Sequence, residues 1–269
     1  MLRRALCLLL AFAAPAAAQQ APARVVSMNL CTDQMAMLLA APGQLISVSS
    51  LARDRQSSAM ADEAMRYPVN HGLAEEIWLL KPDLVIAGTF TARASVEMLK
   101  RLGVPVLTVP PAYGLADIAE RLRLVGDAIG QRDTTDAVIT DFKTRLAALR
   151  ARTGRRPSAA LYYANGYTTG NQTLAGEILL TAGFANIAGD GGGGRMSLEA
   201  LAMASPEALI TGQPYPGASR SEEILDHPVV RRIRAARASR SVTDSDWLCG
   251  TPYVLRAISD LSALRQEIE

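Results

Sequence analysis

The stretch EEIWLLKPDLVIAG, residues 75–88, is followed 124 positions later by a second copy of its pattern, EALAMASPEALITG, residues 199–212. Each copy reads Glu, six residues, Pro, an acid, any residue, an aliphatic residue, Ile, any residue and Gly. Because Pro ends a helix and Gly frees the backbone at the exit of a strand, each copy predicts one helix–strand unit. Two such units, each beginning with a carboxylate, indicate two similar lobes that carry matched acids.

Short β-branched runs alternate with helical stretches through most of the chain, which predicts parallel sheets covered by helices. The predicted strands are residues 25–28, 45–48, 84–87, 104–109, 159–163, 208–211 and 241–243. The predicted helices are residues 32–41, 73–80, 94–102, 134–152 and 252–267. The helix near 134–152 has acids in its first turn and arginines in its last, as the helix dipole favours. We therefore predict a first lobe over residues 24–130, a linking helix over 131–154 and a second lobe over 155–269.

The first 18 residues have the pattern of a secretory signal peptide. Arg3 and Arg4 precede an apolar run over residues 5–14, and the small residues 16–18 form a cleavage site of the A-x-A type. No cysteine follows directly after that site, and no later segment approaches the roughly 20 apolar residues of a membrane helix. The sequence therefore predicts a soluble protein that is exported to the periplasm.

The charge balance of the exported chain argues against a polyanionic partner. Removal of the signal peptide takes away two of the 28 basic residues and none of the 26 acidic ones, so the formal net charge becomes zero. Binding to a nucleic acid requires concentrated Lys and Arg. We therefore expect no nucleic-acid partner, and we expect the chain to be a monomer.

In open parallel sheets, ligands bind beyond the carboxyl ends of the strands, where loops and helix N-termini converge. Aromatic residues make up only 5% of the chain, yet several of them lie in the predicted strand-end loops. Rigid aromatic faces with a few polar groups suit a large, partly apolar ligand. Taken singly, each aromatic residue could instead anchor its loop, and Arg93, a cation in these loops, could be a solvated residue at the start of a helix. The predicted ligand-binding residues are Asn29, Phe90, Arg93, Tyr113, Tyr167, Tyr215 and Trp247.

Metal and nucleophile patterns are missing from the sequence. His71 and His227 are the only histidines, and neither belongs to a metal-ligand spacing. His227 precedes Pro228, which is typical of a helix boundary. No Gly-x-Ser-x-Gly motif and no credible Cys–His pair occurs. The sequence therefore predicts no catalytic residue, no metal site and no enzyme activity.

Cys31 and Cys249 are the two cysteines beyond the signal peptide, and they lie near opposite ends of the exported chain. In an oxidising compartment they could pair, provided that their Cα atoms lie within about 7 Å. The alternative is two buried thiols, and the sequence leaves both open.

Glu75 and Glu199 begin the two copies of the repeated pattern. Each could simply favour a helix N-terminus electrostatically, with an effect of a few tenths of a kcal/mol up to about one. Alternatively, the two carboxylates project from equivalent helices towards arginines of a two-sided partner.

The chain resembles the periplasmic solute-binding proteins of ATP-driven importers for cobalamin and ferric siderophores, the helical-backbone class. The resemblance covers essentially the whole exported chain, through residues 24–28, 75–88, the helix near 134–152 and residues 197–212. The Glu to Pro-Asp-Leu-Val-Ile segment is its most specific part. It implies an α/β fold in which two Rossmann-like lobes with parallel sheets are joined by one long α-helix. It also implies a fairly rigid ligand cleft between the lobes, and docking of Glu75 and Glu199 on arginines of the membrane permease.

The function that the resemblance implies is capture of a ferric siderophore or a corrinoid and its delivery to the permease of an ABC transporter. No resident cofactor is expected, because the metal chelate or corrinoid is the cargo. Family members that bind haem usually offer Tyr or His to the iron, and this chain has cleft tyrosines but no well-placed histidine. The alternatives are a secreted enzyme, or a haem-binding or signalling protein, on the same bilobed fold.

Overall fold

The computed structural model describes residues 21–150, 154–213, 217, 219–242 and 244–268. The predicted signal peptide over residues 1–18 lies outside the described residues, and so does Tyr215. In the part that is described, none of the helices combines the length and the low polarity that crossing a bilayer requires.

Residues 21–130, called here the first half, form a five-stranded parallel sheet with helices around it. Its strands lie in the order β3-β2-β1-β4-β5. The strands are β1 (Val25–Ser27), β2 (Leu45–Ser49), β3 (Val69–Asn70), β4 (Leu84–Gly88) and β5 (Val106–Val109). The helices are α1 (Leu30–Leu39), α2 (Ala61–Ala64), α3 (Ala74–Leu79), α4 (Arg93–Arg101) and α5 (Leu115–Ala128). The predicted parallel α/β architecture of this part of the chain is confirmed.

Residues 154–268, called here the second half, repeat this architecture. After the linking helix α6 (Arg132–Leu149), the second half has the strands β6 (Ser158–Tyr162), β7 (Tyr167–Thr168), β8 (Ala185–Asn186), β9 (Gly194–Arg195), β10 (Ala208–Gly212) and β11 (Ala238–Val242). Its helices are α7 (Leu174–Thr181), α8 (Leu198–Ala204), α9 (Pro228–Ala236) and α10 (Val254–Gln266). Four strands form a parallel sheet in the order β11-β10-β6-β8, and β7 pairs with β9 in an antiparallel ribbon. The predicted α/β class with two parallel sheets is therefore confirmed.

The helix α6 joins the two halves and packs against α5 and α10. Its 18 residues correspond to about five helical turns. Its buried positions are Thr135, Ile139, Phe142 and Leu146, which share one face because they are spaced by three or four residues. This face joins a single hydrophobic cluster that contains Val25 and other residues of both sheets. A shared core of this kind favours a rigid arrangement of the two halves.

Each sheet also has a second buried face with its own smaller cluster. Along β1, Val25 belongs to the shared core, whereas Val26 packs with Ile77 of α3 on the opposite face. In the second half, Leu209 of β10 packs with Leu201 of α8 in the same way. Consecutive residues of a strand point to opposite faces. Both faces of these strands are covered, which explains why apolar residues follow one another along them.

The repeated pattern of the sequence folds the same way twice. In each copy a short helix, α3 or α8, leads through Pro into a strand, β4 or β10, that ends at Gly88 or Gly212. The residue before each proline, Lys81 or Ser205, has a left-handed backbone with φ of 50° or 44°. The two copies thus share a rare backbone conformation as well as their residue pattern.

Candidate functional site

A cavity of about 370 Å³ lies at the carboxyl ends of β1 and β4. These two strands are neighbours in the middle of the first sheet, and the chain leaves them towards opposite edges, β2 and β5. This is the topological switch point of the sheet, where ligands of open α/β folds bind. The cavity is lined by Asn29, Leu30, Cys31, Thr32, Met35, Gly88, Thr89, Phe90, Val109, Pro110, Pro111, Ala112, Leu248 and Gly250.

Asn29 is held in place at the base of this cavity. It is the N-cap of α1, where its Oδ1 accepts a hydrogen bond from the Cys31 backbone N–H at 3.1 Å. Its Nδ2 makes no hydrogen bond to another described residue, so this amide donor is open to a ligand. Gly88 lies against the same side chain: a Cβ added to Gly88 would stand 3.0 Å from Asn29 Cγ. The glycine that ends the first copy of the pattern therefore makes room for Asn29.

The second half supplies one wall of the cavity through Leu248 and Gly250. This loop is tied to α1 by a disulfide between Cys31 and Cys249, whose Cα atoms are 5.1 Å apart although 218 positions separate them in sequence. Of the two alternatives for these cysteines, the structure has the bridge. A Cβ added to Gly250 would overlap Ala112, so the loop approaches the first half closely. The cavity is therefore built by both halves of the chain.

Phe90 has the most exposed side chain among the cavity-lining residues that are large and hydrophobic, at 80%. It follows β4 and leaves its ring free for contact with a ligand. Tyr113 is also exposed and directly follows the lining residue Ala112. Its backbone N–H donates a hydrogen bond to Asp117 Oδ2 at 2.8 Å. This bond holds the backbone of the loop and does not involve the Tyr113 ring. Phe90 thus lines the cavity and Tyr113 lies next to a lining residue; contact of either ring with a ligand stays a prediction.

The other predicted contacts lie elsewhere. Trp247 is only 6% exposed and belongs to the shared hydrophobic core, so its prediction as a ligand contact requires correction: it packs among core side chains and holds the loop next to Cys249. Tyr167 lies on the ribbon of the second half, where the Arg195 guanidinium stands 5.2 Å from its ring centroid. Arg93 is exposed at the start of α4. Neither Tyr167 nor Arg93 lines the cavity.

Several lining residues are missing from the sequence prediction. Thr89, Pro110 and Pro111 lie in the predicted strand-end loops but have no aromatic or charged group that singles them out. Leu248 and Gly250 flank Cys249, so a bridge to Cys31 would have been the signal that places them at the site. The aromatic criterion therefore found part of the first-half wall and missed the contribution of the second half.

Asp33 lies behind the cavity on α1 and is fully buried. Its Oδ1 accepts from the Ser49 backbone N–H at 3.1 Å, and its Oδ2 accepts from the Ser49 hydroxyl at 2.5 Å. Burial raises the pKa of this carboxyl to about 6, and the hydrogen bonds from Ser27 and Ser49 only partly oppose that rise. Asp33 therefore ties the helix behind the site to β2.

Glu75 and Glu199 are both exposed in the first turns of α3 and α8. Glu75 has no ion-pair or hydrogen-bond partner among the described residues. The pKa of Glu199 lies below its usual value because its own backbone N–H and the Ser197 hydroxyl stabilise the carboxylate. Both carboxylates are thus accessible from outside the chain.

The histidines have local structural roles. His71 Nδ1 lies 3.1 Å from Glu76 Oε1, and His227 caps α9 by accepting from the Val229 N–H at 3.3 Å. Within the described ranges, no group of three or more His, Cys, Asp and Glu side chains converges on a position that could hold a metal ion.

Comparison with known proteins gives a consistent picture. The family model described as "Periplasmic binding protein" matches residues 25–246. An uncharacterized ABC transporter substrate-binding lipoprotein, YvrC, of Bacillus subtilis is 29% identical over 51% of this chain and 48% of its own length. A cobalamin-binding protein of Halobacterium salinarum is 24% identical over 71% of this chain and 54% of its own length. The chain thus spans about half the length of these curated relatives.

Among solved structures, the periplasmic haem-binding protein RhuT from Roseiflexus sp. RS-1 has the same fold, with a TM-score of 0.74. The comparison covers 91% of this chain and 98% of RhuT at 20% identity. The vitamin B12-binding protein BtuF of Vibrio cholerae has a TM-score of 0.69 over 92% of this chain and 98% of its own, at 18% identity. Both solved structures are named for ligand binding.

Proposed function

Because the chain belongs to the periplasmic binding protein family, we propose that it captures a ferric siderophore or a corrinoid outside the cytoplasm and delivers it to the permease of an ABC importer. The observation that carries this proposal is the cavity at the switch point of the first sheet, which both halves of the chain line. A cavity of about 370 Å³ is within the range of roughly 300–1,000 Å³ that is usual for small-molecule sites.

The chemistry of the lining supports a large and partly apolar cargo. Among the described residues that line it, no side chain is charged, and the polar groups are hydroxyls and the Asn29 amide. A corrinoid with its peripheral amides could lay an apolar face on Phe90 and accept a hydrogen bond from Asn29 Nδ2. A ferric siderophore with amide or hydroxamate groups would use the same two contacts. Either ligand is larger than the cavity and would extend beyond it towards the exposed Tyr113.

Delivery requires a surface that the permease recognises, and Glu75 and Glu199 are our candidates. They begin equivalent helices and carry exposed carboxylates. Arginines of a permease could form charge-assisted hydrogen bonds with both. The predicted signal peptide supports export, and the described relatives include a lipoprotein of an ABC transporter.

A ligand screen by thermal unfolding tests the proposed cargo. The panel contains cyanocobalamin, a ferric hydroxamate, a ferric catecholate and hemin, each with its metal-free or iron-free form as control. A ligand present at 100 times its Kd stabilises the protein by about 2.7 kcal/mol, which raises Tm by roughly 5–10 °C for a chain of this size. Recovery of the ligand unchanged after incubation separates binding from turnover. No stabilisation by any member of the panel, or conversion of one member into a product, would contradict the proposal.

A further inference from the structure

Leu79 and Met203 occupy the same position in the two copies of the repeated pattern, 124 positions apart. Among the described residues, the three most exposed large hydrophobic side chains are Met203 at 86%, Phe90 at 80% and Leu79 at 71%. Phe90 lines the ligand cavity, whereas the other two lie outside it. Single exposed apolar side chains are normal on protein surfaces. The general frequency of exposed apolar residues does not explain why the same position of the repeated pattern is exposed in both halves.

The helices α3 and α8 present these side chains next to the two glutamates. Leu79 follows Glu75 by four residues, and Met203 follows Glu199 by four, so each pair lies on one face of its helix. The opposite face of each helix is anchored by Ile77 or Leu201, which are also equivalent in the repeat and are both fully buried. Each half therefore projects one carboxylate and one apolar side chain side by side from a fixed helix.

On the basis of the proposed function, we infer that Leu79 and Met203 form, with Glu75 and Glu199, two equivalent docking knobs for the permease. The complementary surface is a cationic group beside an apolar recess. Because the two knobs are alike, the partner presents this recess twice, as a two-fold-symmetric dimer does. Leu and Met have similar volumes, so one recess can accept either, and the flexible Met side chain adapts to small differences between the sites.

Charge complementarity favours the permease over an anionic lipid surface as the partner of these side chains. An anionic lipid surface would repel the carboxylate beside each apolar side chain. A cationic recess on a protein compensates the carboxylate while the apolar side chain loses its contact with water. The glutamates supply attraction at long range, and the apolar side chains supply affinity after contact.

The test measures binding of the full exported chain to the permease–ATPase complex of its proposed importer, reconstituted in lipid nanodiscs without added ligand. Leu79→Asn and Met203→Gln keep the side-chain size and remove the apolar character. Met98→Gln and Leu102→Asn are the matched controls. Both side chains are exposed, Met98 on α4 and Leu102 directly after it, and neither residue belongs to the repeated pattern that begins at Glu75 and Glu199. We expect each single variant to weaken docking about tenfold and the pair to weaken it about a hundredfold, while the control pair binds as the unchanged chain does.

The outcomes separate this inference from the proposed function. Unchanged docking of the Leu79→Asn and Met203→Gln pair, together with lost docking of a Glu75→Ala and Glu199→Ala pair, overturns the inference and leaves delivery to the permease intact. Failure of the unchanged chain to bind the complex overturns both. Sedimentation of each variant tests the other possible partner, a second copy of this chain. If the unchanged chain dimerises and the Leu79→Asn and Met203→Gln pair does not, the surface binds that second copy and the inference is wrong.

Discussion

Asp83 and Glu207 share the same pair of hydrogen bonds to the start of the neighbouring strand, directly before β4 and β10 begin. Asp83 Oδ2 accepts from the Arg24 N–H at 2.9 Å, and the Asp83 N–H donates to the Arg24 carbonyl at 2.8 Å. Glu207 Oε2 accepts from the Ser158 N–H at 3.0 Å, and the Glu207 N–H donates to the Ser158 carbonyl at 2.9 Å. The acid that follows Pro in each copy of the pattern therefore joins β4 to β1, or β10 to β6, which explains why both copies carry an acid there.

Removal of either acid should destabilise the half in which it lies. Asp83→Ala and Glu207→Ala each remove the carboxylate that accepts from a backbone N–H at the beginning of β1 or β6. Because these groups are partly exposed, water replaces some of the lost interaction, and we expect a loss of about 1 kcal/mol for each variant. Urea unfolding measures this loss. Asp83→Asn and Glu207→Gln keep an acceptor oxygen and should lose less; equal losses in both kinds of variant would contradict the hydrogen-bond explanation.

Asp33 should make the protein less stable as the pH rises. Its folded pKa of about 6 exceeds the ordinary value of 3.8, so the folded chain holds its proton more tightly than the unfolded chain does. The contribution to stability is complete below about pH 4 and is lost as the pH rises through about 6, by at most about 3 kcal/mol. Urea unfolding from pH 4 to pH 7 measures this profile. In Asp33→Asn, which cannot ionise, this decrease in the free energy of unfolding with rising pH should disappear. If the pH profile of the variant is unchanged, other groups cause the decrease.

Phe90 and Trp247 should respond in opposite ways to substitution. Phe90 is exposed at the cavity, so Phe90→Ala should weaken binding of the ligand found in the screen about tenfold and leave Tm unchanged. Trp247 lies in the shared core, and Trp247→Ala should lower the free energy of unfolding by about 3–5 kcal/mol. Calorimetric titration and thermal unfolding of both variants measure the two effects. A Trp247→Phe variant with normal stability and lost binding would restore the tryptophan to the ligand site.

The sequence predicts the local units well and the long-range contacts poorly. The repeated pattern locates α3, β4, α8 and β10 because proline and glycine act on the backbone next to them. The prediction omits α5, although Leu115, Ile118, Leu122 and Val125 are spaced as on one buried helix face. The burial of Trp247 depends on packing between distant segments, which no local pattern reports.

The cavity wall illustrates the same limit. Aromatic residues at strand ends identified Phe90, but Leu248 and Gly250 reach the site only because the second half folds back over α1. Composition could not decide whether Cys31 and Cys249 pair, since the answer depends on the distance between two loops 218 positions apart. Fold class follows from periodicity, whereas the shape of a site built by two halves follows from how the halves pack.

The disulfide should stabilise both the fold and the cavity. It closes a loop of more than 200 residues, and its removal in a Cys31→Ser and Cys249→Ser double variant should cost about 2–5 kcal/mol. The loop that carries Leu248 would also lose its covalent link to α1, so ligand affinity should fall. Urea unfolding and ligand titration, each with and without reductant, measure both effects. Reductant should change the unmodified chain and leave the double variant unaffected; equal sensitivity of the two would show that the bridge does not form.

Glu75 and Glu199 should be needed for transport and not for ligand binding. Both are exposed on helices α3 and α8, and neither lines the cavity. A Glu75→Ala and Glu199→Ala double variant should therefore bind its ligand with a Kd within about twofold of the original, because distant sites rarely couple. Uptake of the ligand by cells that express only this variant should fall to background.

A matched control distinguishes docking from a general effect of lost negative charge. Glu97 and Glu120 are surface acids that pair with Lys100 and Arg121 on their own helices, at 3.2 Å and 2.9 Å. A Glu97→Ala and Glu120→Ala double variant removes the same formal charge and should keep both binding and uptake, since both carboxylates are exposed and surface ion pairs contribute little. If the control variant loses uptake as well, net charge rather than the two equivalent carboxylates governs recognition. If the Glu75→Ala and Glu199→Ala variant loses ligand binding, the two acids act on the cleft and the docking role is wrong.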